Sequence, residues 1–200
     1  KAKDFNQDIG SWVVSKGTNF SYMFDKAEEF NQDIGSWDVS NGTDFSYMFR
    51  SASSFNQDIG SWDVSNGTDF SRMFFNNDAF NKDIGGWDVS KGIRFGAMFT
   101  GAEDFNQDIG GWDVSNGTDF SLMFAYTPKF NQDIGGWNVS SGFNWGSMFK
   151  SSDLMNLNGW SATPTASDFL GQTKTGNGTA EIINGDLGND FLSGLEGNDK

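Results

Sequence analysis

The sequence predicts an α/β solenoid of six 25-residue coils, each with one short parallel strand and one short helix, closed by a C-terminal cap. The motif Phe-Asn-Gln-Asp-Ile-Gly recurs every 25 residues, with Lys82 replacing Gln in the fourth copy. The copies begin at Phe5, Phe30, Phe55, Phe80, Phe105 and Phe130. Fixed periods of about 20 to 50 residues are typical of solenoids, in which each coil buries its apolar face against its neighbours.

The second half of each coil is predicted to be a two-turn helix. In the second coil, apolar residues stand at i, i+3, i+4 and i+7, which is one face of a helix. These residues are Phe45, Met48, Phe49 and Ala52. Thr43 stands where an N-cap is expected.

The segment before this helix is predicted to be a very short strand. Trp37 and Val39 alternate with Asp38 and Ser40, as in a strand with one buried face. Gly42 recurs in every coil and indicates a turn that needs positive φ or a close backbone approach. Stacked strands lie about 4.8 Å apart, whereas helices pack about 8 to 10 Å apart. That difference predicts a leucine-rich-repeat-like curve with the sheet on its inner side.

Three segments divide the chain. Residues 1–154 are predicted to form the repeat solenoid. The pattern decays after that but keeps Trp160, so residues 155–172 are expected to be a degenerate seventh repeat acting as a cap. Residues 173–200 form a third segment of different composition. The abrupt start at Lys1 suggests a piece of a longer protein.

Composition excludes several classes of function. The 200 residues include 13 Lys and Arg against 27 Asp and Glu, a net charge of −14, with no His and no Cys. Nucleophiles activated by His, disulfides and ordinary zinc sites are therefore excluded. The metals that remain are those bound by oxygen, such as calcium. The negative charge argues against nucleic acid, and no apolar run is long enough to span a membrane.

Uniform polar ladders are the candidate binding surface. The candidate residues are Gln32, Asp33, Asp38, Asp58, Asp63, Asp83, Asp88, Asp108 and Asp113. Such a ladder is either purely structural or matches a periodic ligand, a polysaccharide or an ice lattice. The ice candidate is the column Thr18, Thr43, Thr68 and Thr118, which Ile93 and Phe143 interrupt.

The repeated carboxylates and amides also have a structural interpretation. Carboxylates stacked about 5 Å apart repel by roughly 1 kcal/mol per pair in water. Those of the Asp33 column therefore either cap loop N–H groups, the interpretation favoured here, or bridge divalent cations. Asn31 and its equivalents are expected to bond loop backbone groups of successive coils. Every carboxylate pair is one of several near copies, so we expect no catalytic pocket and no enzyme.

The unit FNQDIGSWDVSNGTDFSYMF resembles the 25-residue repeat of BspA-like leucine-rich-repeat surface proteins, also known as a domain of unknown function first noted in mycoplasmas. The resemblance covers Phe5 to about Leu154. That family often has Val and Met where this chain has Gly42 and Phe45, so the turn between strand and helix is expected to differ in detail. The resemblance implies a non-enzymatic, cell-surface or secreted binding role without naming a ligand.

The tail resembles the RTX nonapeptide GGxGxDxUx, which binds calcium in parallel β-rolls. Asp190 and Asp199 match the ligand aspartate at nine-residue spacing, and Asp186 and Glu196 stand at variable positions. This resemblance implies Ca²⁺ as cofactor and type 1 secretion from a Gram-negative bacterium. The array is too short to enclose an ion from both sides, so weak or absent binding is expected. The alternative is a disordered linker rich in Gly, Asn and Asp.

These observations predict an extracellular binding, adhesion or spacer module of an RTX-type secreted or surface protein. Its partner would be a cell-surface or extracellular ligand, polysaccharide included. The alternative is a solenoid that binds a periodic ligand through its uniform ladders. The sequence leaves the oligomeric state open.

Overall fold

The computed structural model describes residues 3–152, 155, 160–169, 181–186 and 189–194. Residues 3–152 form a stack of 25-residue repeats built from turns and extended segments, and this range contains no helix and no strand. The predicted α/β architecture is therefore wrong. Isolated parallel bridges join the repeats: Asn19–Asp44, Asp44–Asp69, Asp69–Arg94, Arg94–Asp119 and Asp119–Asn144.

Regular elements are described only beyond the repeats. A short 3-10 helix spans Ala166–Phe169. Strand β1 spans Glu181–Asp186 and strand β2 spans Asn189–Gly194. The two strands pair antiparallel, with Glu181 opposite Gly194.

The predicted helix is a run of overlapping turns. The Met48 N–H donates to the Phe45 carbonyl at 3.2 Å, and the Ala52 N–H donates to the Phe49 carbonyl at 3.1 Å. Tyr47 has a φ of 59° and Ser51 a φ of 54°. A positive φ at the third residue of a turn is typical of type II turns and interrupts a helical path.

The amides that alternate with these turns reach the next repeat. Four bonds with N–O distances of 2.7 to 2.9 Å link the second and third repeats: Phe45 to Asp69, Tyr47 to Ser71, Phe49 to Met73 and Ser51 to Phe75. A regular helix would direct the same amides to carbonyls four residues earlier. The turns instead pair buried backbone between repeats, which satisfies groups that would be costly to leave unpaired.

The core residues were nevertheless predicted correctly. Phe45, Met48, Phe49 and Ala52 are completely buried. Equivalent aromatic rings stack from repeat to repeat; the ring centroids of Phe49 and Phe74 lie 5.6 Å apart at an interplanar angle of 7°. Offset aromatic pairs contribute about 0.5 to 1.5 kcal/mol beyond their buried area. The same side chains therefore fill the core of a non-helical chain.

The predicted strand is also absent, although its burial pattern is present. Trp37 and Val39 are buried, and Asp38 between them is exposed. The Trp37 indole Nε1 donates to the Ile9 carbonyl of the preceding repeat at 3.2 Å. The bond recurs at Trp62–Ile34, Trp87–Ile59, Trp112–Ile84 and Trp137–Ile109. Indole N–H groups thus join neighbouring repeats at the position where hydrogen bonds between parallel strands were expected.

Two glycine positions are set by close contacts. At Gly42 a Cβ would lie 2.4 Å from the Phe45 Cζ and 2.9 Å from the Val39 carbonyl oxygen. The φ of Gly42 is not positive. Of the two predicted reasons for this glycine, positive φ is therefore wrong and close approach is confirmed. At Gly35 a Cβ would lie 2.6 Å from the Asp58 carbonyl oxygen of the next repeat.

The chain after the sixth repeat packs on the end of the stack. Trp160 and Phe169 are each 3% exposed. In earlier repeats the amide equivalent to Phe149 donates to a carbonyl of the next repeat. The Phe149 N–H donates instead to the Ala162 carbonyl at 3.0 Å. The boundaries of the cap, 155–172, stay a prediction because residues 170–172 lie outside the described residues.

Neighbouring glycines provide a matched test of repeat spacing. A Cβ on Gly85 would lie 2.5 Å from the Asp108 carbonyl oxygen, whereas one on Gly86 meets no described atom within 4 Å. We expect Gly85→Ala to lower the free energy of unfolding by about 2 kcal/mol or more, because backbone must move. Gly86→Ala should leave stability unchanged or raise it by about 0.4 to 1 kcal/mol. Urea denaturation measures both, and equal effects would contradict the close stacking.

A buried amide predicts a stabilising substitution. Asn77 is fully buried, and within the described part of the chain its Nδ2 and Oδ1 have no hydrogen-bond partner. Alanine occupies this position in other repeats, as at Ala52. Asn77→Ala should raise the free energy of unfolding by about 1 kcal/mol, since an unsatisfied buried polar group costs about 1 to 3 kcal/mol.

The control is Thr127→Ala at the equivalent position. The Thr127 hydroxyl donates to the Phe99 carbonyl at 2.6 Å, so removing it should lower the free energy of unfolding by about 1 kcal/mol. Thermal and chemical denaturation should give opposite signs for the two variants. Destabilisation by Asn77→Ala would show that its amide is satisfied.

Candidate functional site

The asparagine and glutamine side chains make hydrogen bonds between neighbouring repeats. Asn6 Oδ1 accepts the backbone N–H of Asn31 at 3.0 Å and the side-chain amide of Gln32 at 2.8 Å. The backbone bond recurs at Asn31–Asn56, Asn56–Asn81, Asn81–Asn106 and Asn106–Asn131. The predicted bridging role of the asparagines is confirmed. Gln32, a candidate binding residue, uses its amide on the preceding repeat.

The Asp33 column caps backbone amides, as predicted. Asp33 Oδ1 accepts the Gly35 N–H at 2.9 Å. The same bond, from the amide two residues ahead, is made by Asp8, Asp58, Asp83, Asp108 and Asp133. This Asx-turn arrangement fixes the loop in each repeat. The cation-bridging alternative is not needed to hold these carboxylates in place.

The Asp38 column bonds to serine. Asp38 Oδ1 accepts the Ser40 hydroxyl at 2.6 Å and the Ser40 N–H at 3.1 Å. The hydroxyl bond, followed by the N–H bond, holds the pKa of the Asp38 carboxyl below its usual 3.8. The same causes lower the pKa of Asp63, Asp88 and Asp113. These carboxylates are exposed and charged at neutral pH.

The threonine column also bonds within the stack. The Thr43 hydroxyl donates to the Thr18 carbonyl at 3.1 Å, and Thr68 donates to Thr43 in the same way. The predicted N-cap role of Thr43 is wrong, because no helix follows it. Ile93 and Phe143, 40% and 78% exposed, interrupt the row. Ice binding stays a prediction, although the hydroxyls of Thr43, Thr68 and Thr118 already donate to carbonyls of the preceding repeat.

Sequence differences between repeats are concentrated at positions equivalent to 47, 50, 51, 53 and 54, which we call the variable surface. Ion pairs there join residues 25 positions apart. They are Lys3–Glu28 at 2.9 Å, Arg50–Asp25 at 2.6 Å and Lys129–Asp104 at 2.5 Å. The Lys3–Glu28 and Lys129–Asp104 pairs are exposed and contribute about 0 to 1 kcal/mol, so their main effect is to define the surface chemistry. The Arg50–Asp25 pair is partly buried.

A shallow groove crosses the variable surface. Its volume is about 460 Å³, and its lining includes Glu28, Ser53, Asp78, Glu103 and Tyr126. These residues come from five different repeats, so an elongated ligand could contact all of them. Sequence variation alone could not join these positions into one groove, because most of them lie just after the predicted helix, which ended at Ala52.

The calcium prediction is only partly within the described residues. Asp186 and Asp190 lie on β1 and β2, with Asp186 opposite Asn189 and Asp190 opposite Gly185. This antiparallel pairing differs from the parallel β-roll that the resemblance implies. Glu196 and Asp199 lie outside the described residues. Among the described residues, no group of three or more acidic side chains is placed to hold a metal ion.

The geometry defines a repeat protein whose units are held together by backbone and side-chain hydrogen bonds at 25-residue separation. A family model described as "Mycoplasma protein of unknown function, DUF285" matches residues 1–76 and 58–162. The chain belongs to this family, as the repeat resemblance predicted. The matched ranges end before the RTX-like tail, whose assignment stays a prediction.

No curated protein and no solved structure matches the chain. In the part of the chain that the structure describes, no helix has the length and apolar character to cross a membrane.

The Asp38 column predicts acid sensitivity. Because the folded-state pKa of Asp63 is lowered, ionised Asp63 stabilises the fold above its unfolded pKa of about 3.9, and that contribution is lost as pH falls through the folded value. The free energy of unfolding should therefore decrease on acidification below about pH 4. Asp63→Asn and Ser65→Ala should both flatten this decrease in urea titrations between pH 5 and 3. An unchanged slope in both variants would contradict the assigned bonds.

Calcium titration tests the capping account. Because Asp33 and its equivalents already accept backbone amides, we expect no tight Ca²⁺ binding by the repeats. Isothermal calorimetry on the full chain and on a form lacking residues 173–200 separates the two regions. Tight binding that survives removal of the tail would mean that the aspartate ladder holds the ions.

Proposed function

We propose that the chain is a non-enzymatic extracellular binding module, of the kind used in adhesion, that recognises its ligand through the variable surface. One observation carries this proposal. The uniform polar side chains already have partners in the stack, as Gln32 has in Asn6 of the preceding repeat and Asp33 has in Gly35 of its own loop, whereas variable residues line a groove that crosses the repeats. Repeat proteins commonly bind through such extended surfaces.

The uniform ladders are less suited to recognition. A ligand that bound Gln32 or the Asp33 column would have to compete with hydrogen bonds to the neighbouring repeat or loop. Each such bond contributes about 0.5 to 1.5 kcal/mol, and leaving its partner unsatisfied costs more. The variable residues can change their chemistry without that penalty.

The location outside the cell is part of the proposal. It rests on the RTX-like sequence of residues 173–200 and on the type 1 secretion that this resemblance implies. Calcium bound by that segment in a longer array belongs to the same proposal. Because calcium is scarce inside cells and plentiful outside, that segment would bind calcium only after export.

A glycan array, run with and without Ca²⁺, tests the binding function. The groove variant combines Asp78→Ser and Glu103→Ser. Serine is chosen because another repeat has it at the equivalent position, Ser53. We expect the array signal to fall for this variant, because it removes two carboxylates that line the groove. The control is Asp63→Asn, which removes a charge from the uniform ladder and should leave binding unchanged.

Three outcomes contradict the proposal. Loss of binding in the Asp63→Asn control alone would favour a periodic ligand on the uniform ladders. An unchanged signal in the groove variant would exclude the groove. Absence of binding to glycans and to extracellular matrix proteins would favour a spacer.

A further inference from the structure

We propose that the tyrosine–arginine patch, formed by Tyr22, Asp25, Tyr47, Arg50 and Arg72, is a subsite for an acidic sugar that carries one carboxylate at the end of a glycan. The inference rests on the proposed binding function and names one ligand chemistry for it. The patch lies on the variable surface of the first three repeats.

The patch is rigidly assembled. The rings of Tyr22 and Tyr47 stack with centroids 4.4 Å apart and an interplanar angle of 11°. The Arg50 Cζ lies 5.1 Å from the Tyr47 ring centroid and 5.9 Å from that of Tyr22. Arg50 also binds both carboxylate oxygens of Asp25, at 2.6 and 2.8 Å. A site held in this way loses little conformational entropy when it binds.

Of the two arginines in the patch, Arg72 is the one whose guanidinium has donors left for a ligand. Its Nη1 donates to the Tyr47 hydroxyl at 2.8 Å, and its Cζ lies 5.3 Å from the Tyr47 ring centroid. Among the described residues no carboxylate pairs with it, although the chain carries 27 acidic residues. Arg94, by contrast, pairs with Asp69 at 3.2 Å.

The remaining Arg72 donors match a carboxylate. Guanidinium has five N–H donors in a planar fork, and it binds carboxylates through two parallel hydrogen bonds. Tyr47 occupies one of its nitrogens. A ligand carboxylate would therefore supply the acceptor that the fold does not.

The tyrosines indicate a sugar as the bearer of that carboxylate. Tyr22 is 51% exposed, so it offers an aromatic surface and a hydroxyl at the surface of the patch. Sugar C–H groups pack on aromatic rings, and sugar hydroxyls bond to a phenol. The net charge of −14 disfavours a polyanion, whereas the patch itself has two arginines against one aspartate, Asp25, which favours a ligand with a single carboxylate.

Saturation-transfer NMR and calorimetry with 3′-sialyllactose test the subsite, with lactose as the neutral probe. We expect sialyllactose to bind and lactose to bind at least about tenfold more weakly, as expected for loss of a charge-assisted hydrogen bond. Arg72→Gln should weaken sialyllactose binding by about tenfold or more. The matched control is Arg94→Gln, which removes the same charge from a paired arginine and should change affinity less than about twofold.

Three results would contradict the acidic-sugar subsite. Equal binding of lactose, equal loss in both variants, or no binding of sialyllactose at millimolar concentration would overturn the subsite. An unchanged midpoint of thermal unfolding ensures that a loss in Arg72→Gln is local. If the subsite fails while glycans still bind through the groove, the proposed function stands without it.

Discussion

The amide hydrogen bonds from the turn segment of one repeat to the carbonyls of the next hold the stack together. The Phe49 N–H reaches the Met73 carbonyl at 2.9 Å, and equivalent bonds recur at every interface between repeats. They require positive φ at two positions per repeat, those of Tyr47 and Ser51. Of the twelve such positions in the six described repeats, eleven carry a residue other than glycine, Gly101 being the exception. Each costs of order 1 kcal/mol, and inter-repeat bonding and aromatic stacking offset that cost.

This constraint also separates structural from variable positions. The two positive-φ positions belong to the variable surface, and the chain places Tyr, Arg, Ala, Leu and Ser at the first of them. Their backbone conformation is imposed by the hydrogen bonds on either side and does not depend on the side chain. Gly35, in contrast, is fixed by the Asp58 carbonyl. Uniform residues maintain the spacing, so the variable surface can change its chemistry without changing the stack.

Burial was predictable from the sequence, but backbone conformation was not. The spacing of Phe45, Met48, Phe49 and Ala52 fits both a helix and a run of turns, and both bury the same side chains. No glycine occurs at the position of Tyr47 in any repeat, and at the position of Ser51 only Asn76 and Gly101 hint at a positive φ. The aromatic columns held a usable signal, since identical rings in every repeat favour stacking at about 5 to 6 Å. Neighbouring helices pack at about 8 to 10 Å, too far apart for such stacks.

Some features of the candidate site were predictable from the sequence, and others were not. Asparagine bridging and aspartate capping followed from the rule that buried or crowded polar groups need partners, and both are present. The Thr43 cap failed with the helix on which it depended. The Trp37 bond to Ile9 was missed, although a buried indole N–H needs an acceptor and could have indicated it. The groove was beyond prediction, because it depends on which turn positions face one side.

Through-hydrogen-bond NMR is the most direct test of the turn-based stack. In a deuterated, isotopically labelled sample, scalar coupling across a hydrogen bond links an amide nitrogen to the carbonyl carbon of its acceptor. The structure predicts a correlation from the Phe49 amide to the Met73 carbonyl. The same correlation should recur in the next repeats, from Phe74 to Met98 and from Phe99 to Met123. A correlation from Phe49 to the Phe45 carbonyl, the helical partner, would contradict the account.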